Sequence, residues 1–199
     1  MESLKIDKTI NILRSKNISL FTYQDLRQLF PSITLSGLSA AIRRLTKSKT
    51  IARIEKGKFQ FLLSNHPPHE YKLANFIYQP SYVSLETALS FYGMIDQFTY
   101  QITSVTTKKA IIKSYLQKEH AYAHLKPKLF TDYVLQNEYL IASPHKALFD
   151  FFYLAFRGFR SRNNLGLIKL NQSQKQKFIS YVNKNYHLPS LHAFIKNNL

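Results

Sequence analysis

Cysteine is absent from the 199 residues. That excludes a disulfide framework and any thiolate metal site, and it suits a reducing cytoplasm. No apolar run approaches the ~20 residues that a membrane helix needs. The opening residues, MESLKIDKTI, carry none of the marks of a signal peptide, so the chain is expected to be cytoplasmic and free of membranes. Acids are scarce: 11 Asp plus Glu stand against 28 Lys plus Arg, a formal net charge of +17. The motifs of common enzymes are missing too, with no HExxH, no Gly-rich phosphate loop and no GxSxG. His120 and His124 are four apart in a segment that reads as a strand, which spaces them by ~13 Å. His66 and His69 flank two prolines and lack the further ligands a metal requires. Asp132, Glu138 and Asp150 have no spacing that assembles them into a site. No catalytic residue, metal or cofactor is expected, and the chain does not read as an enzyme.

What is present supports a folded, basic protein. A 45% hydrophobic content, with 15 Phe and 13 Tyr, is ample for a packed core. Up to residue 65 there are 12 basic and 4 acidic residues, and beyond it 16 and 7, so both halves are cationic. Such a balance points to a polyanionic or acidic partner. The basic residues are interleaved with core-forming patterns and are not gathered on one amphipathic arm, which argues against a membrane-surface role.

Residues 1–65 read as three helices followed by a hairpin. The first spans about 4–16, with Leu4, Ile6, Ile10, Ile12 and Leu13 at near-helical spacing. Thr22 caps a second helix with Asp25 at its third position, and Pro31 ends it. The third helix runs over about 34–48 with Thr34 as cap, placing Leu35, Leu38, Ile42 and Leu45 on one apolar stripe. At 100° per residue, Ser36, Ala40, Arg43, Arg44 and Lys47 point the other way. Two β-like runs follow, TIARI and FQFLL, with Gly57 in the turn between them.

This is the order of a winged helix-turn-helix. Its third helix can enter a major groove, where small residues near the N-terminus permit close approach and arginines pair with guanine or phosphate. The expected DNA-binding set is Thr34, Ser36, Ser39, Arg43, Arg44, Lys47 and Lys49, with Lys56 and Lys58 on the wing tip reaching the backbone. Seven basic side chains between Arg43 and Lys58, against Glu55 alone, could instead be a solvated face. The complete element order, with charge on helix and wing together, favours double-stranded DNA. The aromatic-rich sheet of common single-strand binders is not evident.

Residues 66–72, within SNHPPHEYK, read as a linker, leaving 73–199 as a second domain. There Ser84 is placed to cap a helix bearing Leu85, Ala88, Leu89 and Tyr92, with Gly93 as its stop. Residues 100–107, 120–126 and 136–142 read as strands. Ser143 and Pro144 open a helix over 143–156 with Leu148, Phe151, Phe152 and Ala155 on its apolar face. Lys146 and Asp150, four apart, read as a pair contributing a few tenths of a kcal/mol, as on a helix surface. Helices near 173–185 and 189–198 complete the chain. The fold class expected is α+β, a winged helix-turn-helix followed by a mixed α/β domain with a helical tail.

The succession YVSLETALSFYGMI, ITSVTTKK and IASPHKALFDFFY resembles the AbiEi-type antitoxin family of bacterial toxin–antitoxin systems. The motif residues are Ser84, Glu86, Pro144, Lys146 and Asp150, with Ala147 and Leu148 also matching. His145 departs from the pattern, standing where the family commonly has Glu. The resemblance runs from the N-terminal helices to about residue 156. It implies a two-part function. The N-terminal domain would bind inverted repeats in its own promoter and repress the operon, as a monomer or as a weak dimer formed on DNA. The second domain would counter a nucleotidyltransferase-like toxin without a stable complex. The alternatives are a sequence-specific regulator without antitoxin activity, a nuclease-like DNA enzyme and a pure protein-interaction module.

Overall fold

The computed structural model describes residues 6–96 and 100–199, so Leu4 of the first expected helix lies outside the described residues. The fold is α+β, in two compact units that divide between Ile77 and Tyr78.

The first unit runs α1 (Ile6–Ser15), β1 (Leu20–Thr22), α2 (Tyr23–Leu29), α3 (Leu35–Lys47), β2 (Ile51–Glu55), β3 (Lys58–Phe61) and α4 (Glu70–Ile77). Thr22 and Asp25 form a reciprocal capping box, which fixes where α2 begins. Thr34 caps α3 through Gly37 N–H. The strands form a small antiparallel sheet in the order β1-β3-β2, with a bulge between Arg53 and Glu55. β1 was not expected from the sequence; three residues are too few to show a period. Its Phe21 lies opposite Phe59 with the rings stacked 5.6 Å apart. The core gathers Leu13, Phe21, Leu26, Leu38, Leu45 and Phe61. Gly57 takes φ +77° in the hairpin turn, and its carbonyl accepts from Tyr23 N–H, tying the turn to the start of α2.

Two expectations for this unit are corrected. Residues 70–72, assigned to the linker, form the first turn of α4, and α4 belongs to the first unit. The prolines stop the chain only as far as residue 68; beyond them Leu73, Ala74 and Ile77 recur at helical spacing and are buried. Leu35, placed on the core stripe, is 56% exposed, and Ala41 takes its place beside Leu38 and Leu45.

The second unit carries β4 (Ser81–Val83), α5 (Leu85–Phe91), β5 (Ile102–Thr106), β6 (Ile111–Tyr115), β7 (Lys118–His124), β8 (Tyr133–Gln136), β9 (Tyr139–Ala142), α6 (Pro144–Phe156), α7 (Gln172–Asn185) and α8 (Pro189–Asn197). The sheet order is β6-β7-β5-β4-β9-β8, with β5–β7 and β4–β9 parallel and the other pairs antiparallel. Residues 136–142, expected as one strand, are broken by a turn at Asn137 and Glu138, both at positive φ, which folds β8 back on β9. All five residues of β5 are buried, as suits a strand with neighbours on both edges. Ten consecutive residues of α6, Lys146–Ala155, are also buried. Phe149 stacks on Tyr186, Phe152 packs on Phe178 and Phe156 on Phe194, so α7, α8 and the segment between them cover α6.

Candidate nucleic-acid interface

The outward face of α3 is built by a simple periodicity. Leu38, Ala41 and Leu45 turn inward, which sends Ser36, Ala40, Arg43 and Lys47 along one outward stripe about 16 Å long. Ser36, Arg43, Arg44 and Lys47 are exposed, and Ala40 is half-buried. Thr34 Oγ1 lies 3.2 Å from Ser36 Oγ, and Ser39 Oγ donates to the Leu35 carbonyl at 2.9 Å. The hydroxyls at this end are thus oriented by the helix itself and keep acceptor capacity toward solvent. Leu35 stands among them as an exposed apolar side chain, and Tyr23 Oη donates to its carbonyl. Lys49 follows the helix, exposed at φ +54°.

The hairpin contributes less than its sequence promised. Lys56 is exposed in the turn. Lys58 is not on the tip: it is the first residue of β3, paired with Thr22 and Glu55. Its ammonium donates to the Phe76 and Ile77 carbonyls at 2.6 and 2.8 Å, above the Phe76 ring. The last carbonyls of a helix have no intrahelical donors and draw a cation, so Lys58 closes α4. Arg53, exposed on β2 with Nε donating to the Glu55 carbonyl, is a cation that sequence reasoning left out. Its place in a strand whose neighbours turn inward was the available signal. Leu35 was missed because its spacing fits the apolar stripe; at the helix start no neighbouring element covers it.

The five motif residues of the second unit make no such surface. Ser84 occupies the cap position of α5, yet its hydroxyl makes no capping bond; it donates to Asp150 Oδ2 at 2.9 Å. Tyr82 Oη donates to the same oxygen at 2.9 Å. Lys146 Nζ lies 2.7 Å from Asp150 Oδ1, with both side chains fully buried, and also donates to the Leu129 carbonyl. The expected surface pair is therefore an interior one, because α6 has no solvent face. Burial pushes the Asp150 carboxyl up, against the opposing pull of Lys146 and the two hydroxyls. Burial, then the Asp150 charge, raises the Tyr82 phenol. Glu86 pairs with Arg160 at 3.0 Å. Between them Leu85 is fully buried at φ +59°, a conformation that costs a bulky residue ~1–3 kcal/mol. The bonds of Ser84 and Glu86 on either side hold it there. Pro144 opens α6 beneath the Ser143 cap. His145 stacks on Tyr181, and burial, then Lys177, lowers its imidazole.

The Asp150 carboxylate is committed to interior partners, and that of Glu86 to the half-buried Arg160. Among the described residues no group of three or more His, Asp and Glu could hold a metal ion, and no helix is long and apolar enough to cross a membrane. Neither a protein-family model nor a curated protein matches this chain.

Proposed function

We propose that the first unit is a winged helix-turn-helix that binds double-stranded DNA with α3 in the major groove. One observation carries this reading: the stripe Ser36–Ala40–Arg43–Lys47 is small at its N-terminal end and cationic toward its C-terminal end. It lies on the helix that precedes a hairpin bearing Lys56 and Arg53. Arg43 and Arg44 read guanine or anchor on phosphate, and Leu35 is suited to a thymine methyl. Lys47, Lys49 and Lys56 neutralise phosphates. Lys58 is left out of this set.

The resemblance in the second unit supports a fuller reading: a cytoplasmic, non-enzymatic antitoxin of the AbiEi type that represses its own operon and counters a nucleotidyltransferase-like toxin. On this reading Ser84, Lys146 and Asp150 build the domain, and other residues meet the toxin or act without touching it. The interior placement of those three residues equally favours a DNA-binding regulator without antitoxin activity.

Fluorescence anisotropy tests the DNA reading, using the duplex immediately upstream of the gene and a scrambled duplex at two salt concentrations. A preference of at least ~10³-fold for the upstream duplex is expected. Equal, weak and steeply salt-dependent binding to both would reduce the charge to a general affinity for polyanions. Growth rescue on co-expression with the toxin tests the antitoxin reading separately.

A further inference from the structure

Among the described residues the six-stranded sheet ends at β6, whose strand neighbour is β7. Its two faces differ in chemistry. On one, Ile112 lies opposite Ala121, which lies opposite Thr103. Thr103 is covered by α5, whose Thr87 N–H donates to its hydroxyl. Toward β6 that cover stops, leaving a trough of about 430 Å³ with Ile112, Ala121, Ala123 and Leu154 along it and Phe159 and Arg160 as a wall. Ile112 is 59% and Phe159 69% exposed. Leu116, in the β6–β7 turn, and Tyr100, whose hydroxyl donates to Gln117, extend the exposed apolar strip. The opposite face carries Tyr122, packed on Tyr78, with the Lys108 and Lys113 ammonium groups over the Tyr78 ring at 5.6 and 6.0 Å.

From this we infer that the β6 edge takes up an extended segment of a partner protein in which apolar and acidic residues alternate. Antiparallel strands bond through alternate residues, and the pairing of Tyr115 with Lys118 across the two-residue turn leaves the backbone of Ile112 and Ser114 facing away from β7. An added strand pairs with these and sends alternate side chains to opposite faces. Apolar side chains would then enter the trough, and acidic ones would meet Lys108 and Lys113. A second copy of this chain does not suit the edge. It would bring Lys108, Lys109, Lys113 and Lys118 against their own kind, and edge lysines oppose such pairing. This inference rests on neither the DNA nor the antitoxin reading.

The test uses the full chain and fluorescein-labelled eight-residue peptides of alternating Val and Glu or alternating Val and Lys. The Val/Glu peptide should bind at least ~10-fold more tightly than the Val/Lys peptide, because the lysine-bearing face discriminates by charge. N-methylating one alternate set of amides should abolish binding and N-methylating the other should leave it, since only one peptide edge faces β6. Phe159→Ser should weaken the Val/Glu peptide several-fold while leaving the circular-dichroism melt of the same preparation unchanged. Lys113→Glu should shift preference toward Val/Lys. Indifference to both N-methylated sets would overturn the inference, since charge alone, on α3 or elsewhere, would then hold the peptide. No binding by the Val/Glu peptide would also overturn it, as would a solution dimer that Ile112→Lys dissociates.

Discussion

Lys146 and Asp150 face each other with both side chains fully buried, so neither can be removed alone without stranding the other. Lys146→Met leaves a buried carboxylate and is expected to destabilise the second unit by ~3–5 kcal/mol. Pairing it with Asp150→Leu should recover part of that loss, as read from urea midpoints of the single and double variants. His145 offers a pH signature. Its folded-state value lies below the ordinary imidazole value of 6.5. Above the latter the residue is neutral in both states. As pH falls through it, the unfolded chain takes up a proton that the folded one resists, so stability drops until the folded-state value is passed. Chemical denaturation of the wild type and His145→Asn across that range should show a shallower acid loss in the variant. On the proposed DNA reading, Arg43→Ala on α3 should cost ~1–3 kcal/mol of affinity for the upstream duplex if Arg43 reads a base. Unchanged affinity in both this variant and Arg44→Ala would remove α3 from the proposed DNA contact.

At the scale of elements, Lys56 and Lys58 separate two roles that adjacency in sequence merges. Lys56→Ala should lower the salt slope of duplex binding by about one unit. Lys58→Ala should leave the slope unchanged and instead loosen α4, by the ~0.3–1 kcal/mol typical of a cation at a helix C-terminus. Equal salt slopes in both variants and the wild type would remove Lys56 from the proposed DNA contact. The same pair shows what sequence could and could not tell. The start of α2 was readable because Thr22 and Asp25 are three residues apart and cap each other locally; Ser143 and Pro144 gave the start of α6 in the same way. The acceptors of Lys58 lie 18 and 19 residues on, in a helix the sequence concealed behind two prolines. β1 and β4, three residues each, owe their existence to partners far along the chain, as Phe21 does to Phe59 and Tyr82 to Val105. Lys146 and Asp150 were readable as a pair but not as an interior one, because spacing on α6 carries no record of the helices that cover it.

At the scale of the molecule, the division at Ile77 sets which fragments will work. Residues 1–77 should melt cooperatively and bind the upstream duplex, whereas residues 1–65 lack the carbonyls that hold Lys58 and should melt lower. Circular dichroism on the two fragments decides this, and identical melts would make α4 dispensable to the first unit. The buried α6 bears on how the chain is made. Synthesis runs from the N-terminus, and domains fold as they become complete. The first unit has all its core once residue 77 has emerged. The second has not: Phe178, Tyr186, Leu191 and Ile195, buried in or beside α7 and α8, are translated after α6. Until they arrive, Phe149, Phe152 and Phe156 lack their aromatic partners and offer the cell a sticky nascent helix. A chain cut short between residues 160 and 170 and released would therefore be a finished first unit joined to a client for chaperones.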